Sequence, residues 1–385
     1  MESKSLVIFV DGFVNVNTGN LKIGGIQTYV YNLSLLAKNN GFEVIVVQFA
    51  SKRERVETEY EGIKVITRYG KGNSGRQKCF DEIYREKRDN AVYIISSDQY
   101  DIRSQAPYVI TIQHGIAFDI PAEMIKGFWG LNKLTIRVNK LLRCIKNVER
   151  FGMTRNTVCV DYNYYNWLRT FGTIDQSIKK VKVIPNYSNE IISKTEFESK
   201  LTNRQKCRSI IFARRFTDYR GTLLFSRVIE RLISENFQFE VTFAGEGPLK
   251  QYLIDTFKDC TNVKITSFNA VDSVSVHRLY DIAVVPTVFS EGTSLSLCEA
   301  MAAGCFPVCT HVGGMTNMII DHFNGIMCQP DENSLYSSMI EVLTMPQQEF
   351  DAISRQSFLT ASSAFKIGRW QEQWISFINE VTSNK

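Results

Sequence analysis

Two glutamates, Glu291 and Glu299, stand eight positions apart, and the residues around them decide what their carboxylates could do. The apolar run 282–286 just before them reads as a buried strand. Thr293 or Ser294 can cap a helix on which Leu295, Cys298, Met301 and Ala302 recur at helical spacing. Gly304 stops that helix and Pro307 forbids a restart. One carboxylate therefore belongs to a loop and the other to a helix interior. At 1.5 Å of rise per residue, Ser294 and Glu299 are about 7.5 Å apart along the axis. A helix N-terminus suits a phosphate. Carboxylates repel phosphate, so flanking ones must serve neutral hydroxyls, such as a sugar on one side and a ribose on the other. The same spacing also fits a buried helix with a capping glutamate and an incidental second one.

Other residues could share that chemistry. Arg215 and Arg220 straddle a loop after the apolar run 209–213, where two cations can clamp a diphosphate or simply face solvent. His114, followed by Gly115, comes just past the strand expected over 108–113, which is where open α/β sheets bind ligands. A hydrogen-bonded structural histidine would look the same. Gly24 and Gly25 open a helix marked by Ile26, Tyr29, Val30, Leu33, Leu36 and Ala37, so backbone can approach a ligand there, or the pair is a plain turn. Gly245 begins a G-x-G-P turn after the strand expected over 239–244. No D-x-D occurs, so the usual carboxylate pair for a divalent ion is missing.

Phe306-Pro307-Val308-Cys309, Val312-Gly313-Gly314 and Asn324-Gly325 follow the two glutamates in order. Together they resemble the signature of the family 4 retaining glycosyltransferases, densely over residues 209–330 and thinly over 50–180. The resemblance implies an α/β chain with the GT-B fold, two Rossmann-like domains with parallel sheets facing a central cleft. It makes His114, Glu291, Arg215 and Arg220 the catalytic candidates. Glu291 would meet the transferred sugar and Glu299 the ribose hydroxyls. Gly24 and Gly25 would face the donor phosphates and sugar. Gly245, Phe268, Asn269, Gly292, Thr293, Ser294 and Leu295 would complete the donor site. The chain departs from the family at Arg214, where Gly is usual, and at Arg220, where Lys is usual. Asp161 stands for a usual Ser, and Tyr187 for the Gly after Pro185-Asn186.

The activity implied is transfer, with retention, of a hexosyl group from a nucleotide diphosphate sugar, UDP- or GDP-linked, to a hydroxyl acceptor. Front-face attack, with the leaving phosphate taking the acceptor's proton, is the family's proposed route. The expected acceptor is a glycan or lipid-linked glycan, as in growing lipopolysaccharide, O-antigen or capsule. No cofactor and no metal are expected, and nucleic acid is not an expected partner. A sugar-nucleotide epimerase or a phosphorylase on the same fold, and a non-catalytic nucleotide-sugar-binding subunit, are the alternatives.

The elements that position these residues follow from length and pattern. The 385 residues, 44% of them hydrophobic, suffice for two cores. The expected domains are 1–187, joined by a terminal helix near 368–385, and 207–367, with 188–206 as linker. No apolar run reaches membrane-spanning length, and residues 6–10 read as a strand rather than a leader. Nine cysteines without a C-x-x-C pair suggest reduced thiols in a cytoplasmic protein. Residues 53–61 read as solvated surface and 71–76 as a loop. Residues 1–190 carry 27 basic and 19 acidic side chains, the remainder 18 and 21. Within the first half, Lys133, Arg137, Lys140, Arg143, Lys146 and Arg150 recur every three or four residues. Leu134, Ile136, Val138, Leu141, Leu142, Ile145 and Val148 supply apolar surface, and Phe128 and Trp129 come before them. The basic helix expected over 126–150 suits an anionic membrane, at the inner face of the cytoplasmic membrane, or a solvated helix packed on its own domain.

Overall fold

The structure is a computed structural model that describes residues 5–22, 24–52, 55–115, 133–150, 153–171, 179–203 and 207–383. It divides into two compact units, one of Met1–His114, Gly130–Ile184 and Gln371–Lys385, the other of Gly115–Trp129 and Pro185–Trp370.

The first unit is built on an eight-stranded sheet. Its strands are β1 (Ser5–Val10), β2 (Glu43–Ala50), β3 (Val56–Tyr60), β4 (Ile63–Tyr69), β5 (Ala91–Ile95), β6 (Val109–Gln113), β7 (Asn156–Cys159) and β8 (Lys180–Val183), in the order 3-4-2-1-5-6-7-8. Every pairing is parallel except that of β3 with β4. β1, β5 and β6 are apolar throughout or nearly so, as strands covered on both faces must be. The helices of this unit are α1 (Gly25–Asn39), α2 (Gly72–Lys87), α3 (Lys133–Arg150) and α4 (Tyr162–Phe171). α2 buries Cys79, Phe80 and Ile83 against Phe9, Val47 and Tyr93 of the sheet.

Two readings of this half change. Residues 53–61, read as solvated surface, contain the edge strand β3, in which Glu57, Thr58 and Glu59 are indeed exposed and only Val56 and Tyr60 are half-buried. Residues 71–76 open α2, because Gly72 takes a positive φ at the helix start and the apolar stripe begins only at Cys79, beyond the polar first turns.

The second unit has a six-stranded, wholly parallel sheet. Its strands are β9 (Arg208–Ala213), β10 (Phe239–Ala244), β11 (Val263–Thr266), β12 (Ile282–Val285), β13 (Phe306–Thr310) and β14 (Ile326–Cys328), in the order 11-10-9-12-13-14. The helices are α5 (Lys194–Thr202), α6 (Thr222–Ser234), α7 (Lys250–Thr256), α8 (Ser273–His277), α9 (Leu295–Ala302), α10 (Glu332–Thr344), α11 (Gln347–Ala364) and α12 (Ile367–Ser383). One face packs Phe212, Phe243, Val284 and Val308 with Phe225, Leu232, Leu335 and Met339 of α6 and α10. The other face carries α9 and α11, with Cys298, Met301 and Ala361 buried. Residues 188–206, read as a polar linker, hold α5. Ser193 and Glu196 form a reciprocal capping box, and Phe197 is buried, stacked on Phe358 at 4.4 Å. α12 runs across the division, and its residues from Gln371 onward belong to the first unit.

Both sheets reverse their winding once, between β1 and β5 in the first unit and between β9 and β12 in the second. Such a switch point leaves a crevice beyond the strand ends, where doubly wound folds bind ligands.

Candidate donor site

In the second unit the switch point is bridged by charge. Arg214 follows β9 immediately, and Thr287 and Glu291 follow β12. One oxygen of Glu291, Oε2, accepts hydrogen bonds from Arg214 Nη2 at 2.6 Å, from Thr287 Oγ1 at 3.0 Å and from Arg220 Nη1. Thr287 Oγ1 in turn accepts from Arg214 Nη1, and its carbonyl accepts from Thr310 Oγ1 at 2.6 Å. The side chains of Arg214 and Glu291 are only 5% and 11% exposed, so a hydrogen-bonded partner is essential to each. Burial alone would push the Glu291 carboxyl up, but the two guanidinium groups outweigh it and hold it at about 2. With two cations on one carboxylate, the cluster keeps a net positive charge.

The Glu291 loop is fixed by contacts that admit no side chain. Gly314 N–H donates to the Glu291 carbonyl at 3.0 Å. A Cβ on Gly313, whose φ is +55°, would lie 2.0 Å from that carbonyl oxygen. Thr293 is buried and accepts at Oγ1 from Asn186 N–H at 2.8 Å, while the Asn186 amide donates to the Thr293 carbonyl. Ser294, of the two residues considered, caps α9, its Oγ accepting from Leu297 N–H at 3.4 Å. The N–H groups of Leu295 and Ser296 therefore open the helix without intrahelical acceptors, as at any helix start. Ser296 turns its hydroxyl onto the Ala213 carbonyl at the end of β9, 3.0 Å away.

Glu299 sits in a different environment. Its Oε2 accepts from Ser273 Oγ at 2.6 Å, and burial without a cation pushes its carboxyl up to about 7. Ser273 is tied to the buried His277, whose Nδ1 meets the Ser273 carbonyl at 2.8 Å and whose imidazole burial pushes down to about 4. The two glutamates of one short stretch are thus separated by environment, one held ionised and the other poised near neutrality.

The structure places the remaining expected residues of this unit as follows. Arg220 joins the Glu291 cluster, whereas Arg215 is exposed and points its backbone carbonyl at Thr217 N–H, 2.9 Å away. The buried cation is Arg214, the residue that replaces the family's usual Gly. Gly245 lies at the end of β10, where a Cβ would come within 2.0 Å of the Arg214 carbonyl oxygen. Gly292 is buried in the loop. Phe268 is half-buried against Ala213 and Ala244, and Asn269 beside it is exposed.

In the first unit, His114 sits just beyond β6. Its Nε2 is 2.9 Å from the Ser96 carbonyl, and its ring meets Tyr29 edge-on at 5.0 Å. Burial pushes the imidazole down to about 4, so it is neutral near pH 7. The Ser96 carbonyl can only accept, so Nε2 carries the proton and Nδ1 is left as an acceptor. Tyr29 is held from behind by Trp374 Nε1–H, which donates to its hydroxyl at 2.7 Å. Gly24 precedes α1 as its N-cap without a side-chain cap, and Gly25 is the first helical residue. Asp161, in place of the usual Ser, caps α4 through Oδ1, which accepts from Asn163 N–H at 2.9 Å.

Thr287 and Ser273 were not singled out by sequence, and Arg214 and Asn186 were noted there only as places where the family pattern is met or broken, with no role given. For Arg214 the signal was its place directly after the strand expected over 209–213, where the family usually has Gly. Among the described residues, no group of three or more His, Cys, Asp or Glu is set to hold a metal ion, and none of the nine cysteines is in a disulfide.

Comparison with known proteins bears on the family and the fold. Residues 207–345 match the family model of glycosyl transferases group 1. An uncharacterized glycosyltransferase of Methanocaldococcus jannaschii is 29% identical over 39% of this chain, a stretch that spans 41% of that protein. The GPI3 subunit of phosphatidylinositol N-acetylglucosaminyltransferase from Saccharomyces cerevisiae is 24% identical over 89% of this chain and 75% of its own length. A sucrose-phosphate synthase from Thermosynechococcus elongatus superposes with a TM-score of 0.73 at 12% identity, covering 99% of this chain and 100% of that one. Residues 207–345 thus match the glycosyl transferases group 1 type, and the chain as a whole has the GT-B fold and is similar to the family 4 glycosyltransferases.

Proposed function

We propose that the chain transfers a hexosyl group, N-acetylglucosaminyl first among the candidates, from a nucleoside diphosphate sugar to a hydroxyl of a lipid-linked or cell-surface glycan. Transfer proceeds with retention and without a bound metal. The observation that carries this reading is the charge arrangement at the second unit's switch point. A cluster of net positive charge is built on the ionised Glu291 just before the start of α9, and Glu299, poised near pH 7, lies inside that helix.

Each part then has a task. The diphosphate meets Arg220, the exposed Arg215 and the N–H groups of Leu295 and Ser296, which neutralise the charge that grows as the sugar departs. Glu291 accepts from hydroxyls of the transferred sugar through Oε1, the oxygen its cations leave open. Glu299 accepts from the ribose, and Phe268 and Asn269 lie on the loop that receives the base. The first unit holds the acceptor; His114 Nδ1 accepts a hydrogen bond from a sugar hydroxyl that does not react, while the attacking hydroxyl gives its proton to the leaving phosphate as the new glycosidic bond forms and the sugar–phosphate bond breaks. The reaction belongs on the cytoplasmic side, where nucleotide sugars are made. The choice of N-acetylglucosamine follows the name of the yeast relative.

The test is turnover of UDP- and GDP-linked sugars with polyprenyl- and phosphatidylinositol-linked acceptors, in EDTA, with the product anomer read by NMR. A retained anomer formed in EDTA is the expected result. An inverted product, or activity that EDTA abolishes and Mg²⁺ restores, refutes the charge argument. Donor turnover without any acceptor would favour an epimerase.

A further inference from the structure

Helix α3 is turned inside out. At 100° per residue, Leu134, Val138, Leu141, Leu142 and Ile145 fall on one face. A helix lying on its own domain normally buries such a face. Here Leu134, Val138, Leu141 and Leu142 are 70%, 48%, 47% and 57% exposed, while Thr135, Ile136, Asn139 and Lys140 are the more covered side chains. Isolated exposed leucines are ordinary, but a continuous stripe of them marks a contact surface.

The stripe is held in place by the far end of the helix. Val148 is fully buried. Tyr164 of α4 donates its hydroxyl to the Asn147 carbonyl at 2.9 Å, and Arg150 pairs with Asp101 at 2.9 Å. The first turns therefore project from a fixed base. Their flanks are basic, with Arg137 on one side and Lys146 on the other, both exposed. Over residues 133–150 there are six basic side chains against the single acidic Glu149. Phe128 and Trp129, read with this helix, lie outside the described residues.

We propose that α3 seats the first unit on an anionic lipid surface. The apolar stripe enters the acyl boundary, and Arg137 and Lys146 on its two flanks reach the phosphate headgroups. The charge complements a surface rather than an apolar protein partner, and no helix among the described residues is long and apolar enough to cross a membrane. The helix therefore lies in the interface plane, where apolar insertion and basic attraction add. This inference is independent of the transferase reading and would survive its failure.

The experiment floats the full chain with vesicles of phosphatidylcholine alone and with about one third phosphatidylglycerol, at low and high salt. Expected is flotation with the anionic vesicles only, lost at high salt. Leu134→Glu/Leu141→Glu should weaken partitioning at least tenfold with unchanged circular dichroism, since both side chains are exposed. Arg137→Glu/Lys146→Glu, which leaves every apolar side chain in place, should weaken it similarly. Equal recovery with neutral and anionic vesicles, or no flotation of the unaltered protein, overturns the proposal. So does a dimer in light scattering that the leucine variant converts to monomer while vesicle binding stays absent, since a second copy would then cover the stripe.

Discussion

Replacing Glu299 by Gln should make the protein more stable and bind nucleotide less well. The carboxyl is pushed from an ordinary 4.5 up to about 7 because burial opposes its charge and only Ser273 supports it. The folded state therefore holds this proton more tightly than the unfolded chain does. The sign follows: the stabilising, protonated form is complete below pH 4.5, and its contribution is lost as pH rises through 7. A shift of roughly 2.5 units corresponds to about 3 kcal/mol at most, and the side chain's partial exposure reduces this to about 1–3 kcal/mol. Glu299→Gln removes the ionisation and keeps an acceptor for Ser273. Urea denaturation should find the variant more stable by about 1–3 kcal/mol at pH 8.5 and equal within about 0.5 kcal/mol at pH 4.5. Calorimetry at pH 8.5 should find free nucleoside diphosphate bound about tenfold to a hundredfold more weakly, from loss of charge-assisted hydrogen bonds worth roughly 1.5–3 kcal/mol. A variant less stable at pH 8.5, or one with unchanged nucleotide affinity, refutes the reasoning.

Glu291→Gln should do the opposite to stability, since it leaves the buried Arg214 without its carboxylate, at a cost of about 3–5 kcal/mol. Free nucleotide should still bind nearly as before while kcat falls, and a loss of nucleotide affinity with kcat intact would reverse the roles of the two glutamates. Because the Glu291 carboxyl is held at about 2, its ion pairs should support stability above pH 4.5 and fail only as pH falls toward 2, a loss that acid titration of Glu291→Gln should lack. Arg214→Ala should lower the melting temperature of the second unit by several degrees, whereas Arg215→Ala should leave stability within about 0.5 kcal/mol and weaken nucleoside diphosphate binding. The reverse ranking by calorimetry and thermal melts would show that the exposed and buried cations have been misassigned.

The legible parts of this chain were those in which local pattern and packing agree. The run 282–286, the helix after Ser294 and the stop at Gly304 could be read because burial, capping and chain reversal each leave a residue signature there. The Glu291 and Glu299 positions followed from that frame. Their opposite ionisation did not, because it depends on Arg214, Thr287 and Ser273, which come from other segments of the chain. β3 was hidden because Glu57, Thr58 and Glu59 are all exposed and leave no alternation to read, and α5 because a single buried Phe197 gives too little periodicity to see. α3 was seen as basic and amphipathic, but which half faces outward is a tertiary fact. Only the exposure of Leu134 and Leu142 settles it.

The allocation of α12 bears on the order in which the protein can be made. Trp374 is buried and bonds to Tyr29, and Lys180 pairs with Glu380 at 3.1 Å, so segments near both ends of the chain complete one unit. A ribosome makes the whole of residues 185–370 before it makes Trp374. The second unit, contiguous through that stretch and held by its own parallel sheet, can close while the first still lacks a core residue. During that interval Tyr29, whose ring borders His114, has no indole N–H to donate to its hydroxyl. The support that Tyr29 gives the imidazole at the first unit's strand ends is therefore completed only by a segment made after residues 185–370.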